Sequence, residues 1–296
     1  MTQILMSALR HSAFYSPYLM TIAGGYLVEE GLEPVYAPAT PEAPVPESIR
    51  AGRCHVAQSA VATSFAALER GEAVDIVHFA QINARDGFFL AARSPAPEFS
   101  WERLAGREVL VDHFFQPLAM FKFGLHRMGV EYSSLRAIDA GEPSAIERAF
   151  RSGRGEFVHL QGPAPQQLEH ERLAHVVAAI GDTVGPVAFS SLSARRDWLQ
   201  TDMARAFMRA YRKARTHTIE APAEEIAALE QQAGFFGDIE AAVLADTVRA
   251  YQLLGCWEPD PGISRGSYEN LLDVFLYSGA ITRRHPYECA IVPVSE

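Results

Sequence analysis

The sequence predicts an α/β protein made of two strand–helix units and a helical C-terminal region. Three observations carry this expectation. Short apolar runs alternate with helical segments up to about residue 95, the pattern of a mostly parallel sheet covered on both faces. A second alternating unit runs from Arg107 to about Arg172. From Asp202 onward the sequence reads almost wholly as helix.

The elements follow in order. Ile4 to Leu9 is a buried apolar run that reads as a strand. The loop RHSAFYSPY comes next, and Ser16-Pro17 gives a helix start, with Ser16 as N-cap and Pro17 at the first helical position. That helix runs to Gly31, its expected C-cap, with Gly24-Gly25 as a weak point inside it. LEPVYAP is a second strand, ESIRAGR a short helix, CHVAQSA a third strand and ATSFAALERGE a helix. AVDIVHFAQI and GFFLAARS are the fourth and fifth strands. In the second unit EVLVDH, LRAIDA and FVHLQG read as strands, each followed by a helix: PLAMFKFGLHRMG, PSAIERAFRSG and APQQLEHE. HVVAAIGD and VAFSSLSAR are further strands, and four helical segments close the chain.

The chain has 296 residues, 48% of them hydrophobic, enough for one large domain or two lobes. Its formal charge of −10 comes without a basic stripe, which argues against nucleic acid as a partner. The only lysines are Lys122 and Lys213, neither at a loop suited to Schiff-base chemistry. Cys54, Cys256 and Cys289 are far apart and match neither a zinc spacing nor a disulfide framework. No metal, cofactor or catalytic residue is therefore expected. The start, MTQILMSALR, lacks the basic end and apolar run of a signal peptide, and no stretch is suited to crossing a membrane. The expectation is a cytoplasmic chain, or a periplasmic one if a leader was removed.

Four stretches resemble one known family. AGGYLVEEGLEPVY is similar to its helix-to-strand unit, and ESIRAGRCHVAQSAVATSFAALERGEAVDIV to its following segment, with His55-Val56-Ala57 where the family often carries an aspartate. SWERLAGREVLVDH resembles the entrance to its second lobe, and ARRDWLQTDMARAFMRAYRKA the returning helix. The family is that of ABC-transporter substrate-binding proteins for nitrate, sulfonates, taurine and thiamine pyrimidine precursors. The resemblance implies a two-lobed fold of the type II periplasmic-binding-protein kind, each lobe a mixed sheet flanked by helices. It also implies boundaries: the first part of lobe 1 over 1–94, lobe 2 over 95–188, and a return to lobe 1 plus C-terminal helices over 189–296. The crossovers are expected near Arg93–Pro97 and Gly185–Ser190, with the C-terminal helices packed on lobe 1.

In such a fold, ligands lie beyond the carboxyl ends of the strands, where helix N-termini favour anions. Four loops are then candidate walls. The first offers His11, Phe14, Tyr15 and Tyr18, and the second Gln58, Ser59 and Ala60. The third offers His113, Phe114, Phe115 and Gln116 beside Asp112, and the fourth His159, Gln161 and Gly162. Asn83 and Arg85, between the fourth and fifth strands, are weaker candidates. The implied function is a small-molecule binding protein that closes on a planar or aromatic, anionic organic ligand (a sulfonate, a carboxylate or a pyrimidine-like compound), with an ABC-transporter permease as partner. An enzyme on the same fold, desulfinase-like or thiamine-pyrimidine-related, is the alternative, with His11, His113 and His159 as its acid–base candidates. A ligand-sensing domain is the third reading.

Overall fold

The computed structural model describes residues 1–294. The ten strands are β1 (Thr2–Ala8), β2 (Leu32–Tyr36), β3 (Val56–Ser59), β4 (Ile76–Asn83), β5 (Phe88–Ala92), β6 (Glu108–Val111), β7 (Arg136–Ile138), β8 (Phe157–Gln161), β9 (His175–Ala179) and β10 (Ser190–Arg195). They form two five-stranded sheets of the same plan, β2-β1-β3-β10-β4 and β7-β6-β8-β5-β9. In each sheet the fourth strand in this order is antiparallel to both neighbours. Those two strands, β5 and β10, are the ones that follow a crossover from the other lobe. A chain arriving from the cleft must run away from it, whereas the other strands point their carboxyl ends toward it. The architecture is the two-lobed α/β fold expected from the sequence.

One boundary differs. β5 pairs with β8 and β9 in the second sheet, so the first crossover is 84–87 rather than near Arg93–Pro97. The alternating pattern shows strands, but not which sheet a strand joins. The second crossover is 185–189, between the helix Ile180–Val184 and β10.

Local sequence explains the finer breaks. The first helix stops at Ala23 because Gly25 takes a left-handed φ of 75°, and a short turn, Tyr26–Glu29, follows. Pro34 is tolerated in β2 because that strand lies at a sheet edge. Ser16 opens the helix Ser16–Ala23, but its cap is Tyr15, and the Ser16 hydroxyl turns back to the Ala13 carbonyl at 2.7 Å.

The C-terminal helices do more than cover lobe 1. The helix Arg265–Tyr277 also lies along the lobe 2 helix Phe115–Arg127, through Phe115–Phe275 and a stacked His126–Tyr277 pair with centroids 4.4 Å apart. The Tyr251 hydroxyl, from the helix Ala241–Leu254, accepts from the Gly162 N–H at 2.8 Å. These helices therefore bridge the lobes. Lobe membership of a helix depends on tertiary contacts that its amphipathic pattern does not encode.

The lobe 1 core holds a buried carboxyl. Glu230, in the helix Ala223–Gln232, is fully buried, and burial pushes its carboxyl up to about 8. The unfolded chain ionises near the ordinary value of 4.5 and releases a proton that the folded chain keeps. Stability should therefore fall as pH rises through this window. Glu230→Gln is expected to raise the melting temperature at pH 8 and to change it little at pH 4.5, as scanning calorimetry at the two pH values would read.

Candidate functional site

The carboxyl ends of β1, β3, β6 and β8 converge between the lobes, as the strand directions require. There β1 continues into Leu9 and Arg10. The Leu9 N–H donates to the Gln58 carbonyl at 3.1 Å, and the Arg10 N–H to Gln58 Oε1 at 3.2 Å. This ties the first loop to the end of β3. In lobe 2, β6 is followed by Asp112, whose Oδ1 accepts from the Phe114 N–H at 2.8 Å and sets up the start of helix Phe115–Arg127. No side chain caps that helix.

Arg10 joins the two lobes. Its guanidinium lies 3.0 Å from Asp112 Oδ2 and 4.7 Å from the centre of the Phe114 ring. The Asp112 carboxylate is nearly buried (3%), while the Arg10 side chain keeps 23% exposure. The remaining guanidinium N–H groups have no protein partner among the described residues. Ser12 adds a second clasp, donating from its hydroxyl to the Gly162 carbonyl at 2.9 Å.

Behind Arg10 lies a small interlobe cavity of about 40 Å³. Lobe 1 supplies Leu9, Arg10, Tyr15, Gln58, Ala60 and Ser190. The facing side supplies Phe88, Phe114, Gln116, Pro117, Gln161 and Phe189. This space holds a few water-sized groups, so the lobes are nearly shut. Outside it opens a vestibule of about 870 Å³, which shares Arg10 and Gln161 and is rimmed by His11, Gly162, Glu142, Glu147, Asp238 and Glu240.

Of the residues singled out by sequence, Tyr15, Gln58, Ala60, Phe114, Gln116 and Gln161 meet in the inner cavity, and His11 and Gly162 line the vestibule. The others sit elsewhere. Phe14 is fully buried against Tyr15, Phe189 and Tyr251, over Gly87, where a Cβ would come within 2.2 Å of its ring. Tyr18 is also fully buried and donates to the Ser7 and Val56 carbonyls. These two aromatics are core rather than wall. A strand-end loop has two sides, and its sequence does not say which side each ring takes.

His159 is sandwiched between Phe88 and Phe121, with centroids 4.7 and 4.6 Å away, and burial pushes it down to about 3. It is neutral at physiological pH, and its ring is packed between two phenylalanines and does not line the cavity. Ser59 turns from the cavity toward Thr63, at 3.4 Å, and lines a separate groove with Arg50 and Asp75. Asn83 and Arg85 brace the crossovers: Asn83 Nδ2 donates to the Phe14 carbonyl at 2.7 Å and Arg85 to the Gly181 carbonyl at 3.3 Å. His113 lies between the Val111 carbonyl and the Tyr132 hydroxyl. Phe115 packs on Phe275.

Leu9, Arg10, Phe88, Pro117, Phe189 and Ser190 were missed. The strand-end rule applies to Arg10 as well, since it follows the last apolar residue of the first run. Phe88, Phe189 and Ser190 sit at the crossovers, and the first of these lies before the position expected.

The electrostatics favour neutral side chains inside. Burial raises the Tyr15 phenol, so it stays protonated beside Gln161. Asp86, in the first crossover, is pushed up to about 8, chiefly by burial, while the Phe88 N–H donates to its Oδ1 at 2.6 Å. Burial pushes the Cys54 thiol up to about 12 and also raises that of Cys256, and neither lines the cavity. Among the described residues no cluster of His, Cys, Asp or Glu is arranged to hold a metal, and no helix is long and apolar enough to cross a membrane.

Comparison with known proteins agrees with this architecture. The profile of the family described as NMT1/THI5 like matches residues 13–225. YtlA of Bacillus subtilis, named for a proposed role as a binding protein, is 25% identical over 292 residues, covering 97% of this chain and 86% of its own length. The periplasmic aliphatic sulphonate binding protein SsuA of Escherichia coli superposes with a TM-score of 0.77 at 12% identity, covering all of this chain and 94% of its own. A variant of DSZB in complex with biphenyl-2-sulfinic acid superposes with a TM-score of 0.68 at 11% identity, covering 99% and 97% of the two chains. At such identities the structural likenesses establish the fold.

Proposed function

The chain belongs to the NMT1/THI5-like family, and from that premise we propose that it is a solute-binding protein that closes its lobes on a planar organic molecule for ABC-type uptake. The observation that carries this reading is the interlobe cavity, walled by Tyr15, Phe88, Phe114 and Phe189 and gated by Arg10. The aromatic walls suit a flat, partly apolar molecule. The Arg10 guanidinium and the uncapped start of helix Phe115–Arg127 suit an anionic or carbonyl acceptor group on it. The likeness to YtlA and SsuA, both named as binding proteins, points the same way. A transporter permease is then the partner, and the periplasmic face of the membrane the place of work.

Native mass spectrometry of the purified protein, followed by denaturation, tests this reading. The expected result is one small molecule per chain, released unchanged. A chemically altered product, or mass left covalently on the chain, would move the case to an enzyme.

A further inference from the structure

Resting on the interlobe reading, one side chain narrows the ligand class. Gln116 stands on the first turn of helix Phe115–Arg127, lines the cavity and is 6% exposed. Its Nε2 donates to the Phe189 carbonyl at 2.7 Å. That contact fixes the amide orientation, because a flipped amide would set oxygen against oxygen. Oε1 is then the atom left over, and it has no protein partner among the described residues.

Two other polar groups around the cavity are already matched. Gln58 Oε1 accepts from the Arg10 N–H, and its Nε2 donates to the Ser59 carbonyl. The Ser190 hydroxyl donates to Asn83 Oδ1. Two features then stand out: the guanidinium N–H groups of Arg10, which seek an acceptor, and the buried Oε1 of Gln116, which seeks a donor.

The charge around the mouth adds to this. Asp112 already neutralises Arg10, and Glu142, Glu147, Asp238 and Glu240 rim the vestibule. Arg151 pairs with Glu147, and His170 lies beside Glu240. This rim carries no excess of positive charge to draw in a bare anion.

We infer that the molecule held between the lobes carries an N–H or O–H donor for Gln116 as well as an acceptor group for Arg10. Donor-free anions, such as nitrate and simple alkanesulfonates, are poor ligands here. A buried acceptor that a ligand leaves unpaired discriminates strongly against that ligand.

Calorimetric titration of the full chain tests this with matched probes: benzoate, para-methylbenzoate, para-aminobenzoate, para-hydroxybenzoate, methanesulfonate and nitrate. The amino and hydroxy compounds should bind at least about tenfold tighter than the methyl isostere. In Gln116→Leu that ratio should fall to about one, because the acceptor is gone. Equal or tighter binding of the methyl compound, methanesulfonate or nitrate by the unaltered protein would overturn the inference and leave the interlobe reading standing. This comparison needs no variant to fold. Binding of no probe up to about 10 mM would overturn the planar-ligand reading, and the inference with it.

Discussion

Arg10→Ala is expected to weaken binding of an acceptor-bearing ligand by about a hundredfold. Among the described residues, Arg10 is the one charged side chain lining the inner cavity. A charged hydrogen bond made at a desolvated site is worth about 1.5–3 kcal/mol, which sets that scale. The substitution also leaves the nearly buried Asp112 carboxylate without its partner, so the closed state loses a clasp as well as a ligand contact. Asp112→Asn should act in the opposite direction on anionic ligands. It keeps the Oδ1 acceptor for the Phe114 N–H but removes the charge that competes for the guanidinium. Calorimetric titration of the two variants with one ligand reads both effects. Equal losses in the two would mean that the pair acts only as a structural tie.

Phe14→Ala is expected to cost about 3–5 kcal/mol of stability, the usual price of emptying a buried aromatic site. Its ring is fully buried where both crossovers meet, against Phe189 and Tyr251 and over Gly87. Phe114→Ala should behave otherwise. Phe114 is 49% exposed and forms the outer wall beside Arg10. Its loss should change stability by less than about 0.5 kcal/mol, while weakening binding of a flat ligand about tenfold. Urea unfolding and titration of the two variants separate core from wall. If Phe114→Ala unfolds as readily as Phe14→Ala, the division drawn here fails.

Much of the fold was legible because alternation and glycine punctuation record strand and helix directly. Gly31, with φ 77°, follows its helix as its position in the sequence suggests. Sheet membership was less legible. GFFLAARS reads as a strand in either lobe, and only its pairing with β8 and β9 assigns it to lobe 2. The site was legible to the level of loops. The strand-end rule brought Tyr15, Gln58, Phe114, Gln116 and Gln161 to one cavity. It could not separate Tyr15 from Phe14 and Tyr18, which lie on the same loop and helix start but face inward. His159 shows the same limit. It ends a strand at the right place, yet its ring turns between Phe88 and Phe121. Arg10 joins lobe to lobe across 102 positions of sequence, a distance over which local pattern carries no information.

The central claim is that a small molecule sits between the lobes and contacts both. The most direct test is a crystal structure of the protein with the molecule that native mass spectrometry finds retained. The account predicts density bounded by Arg10 and Tyr15 on one side and by Phe114 and Gln116 on the other, with an acceptor at the guanidinium and a donor at Gln116 Oε1. Density at any other surface, with the interlobe cavity closed as it is here, would contradict it.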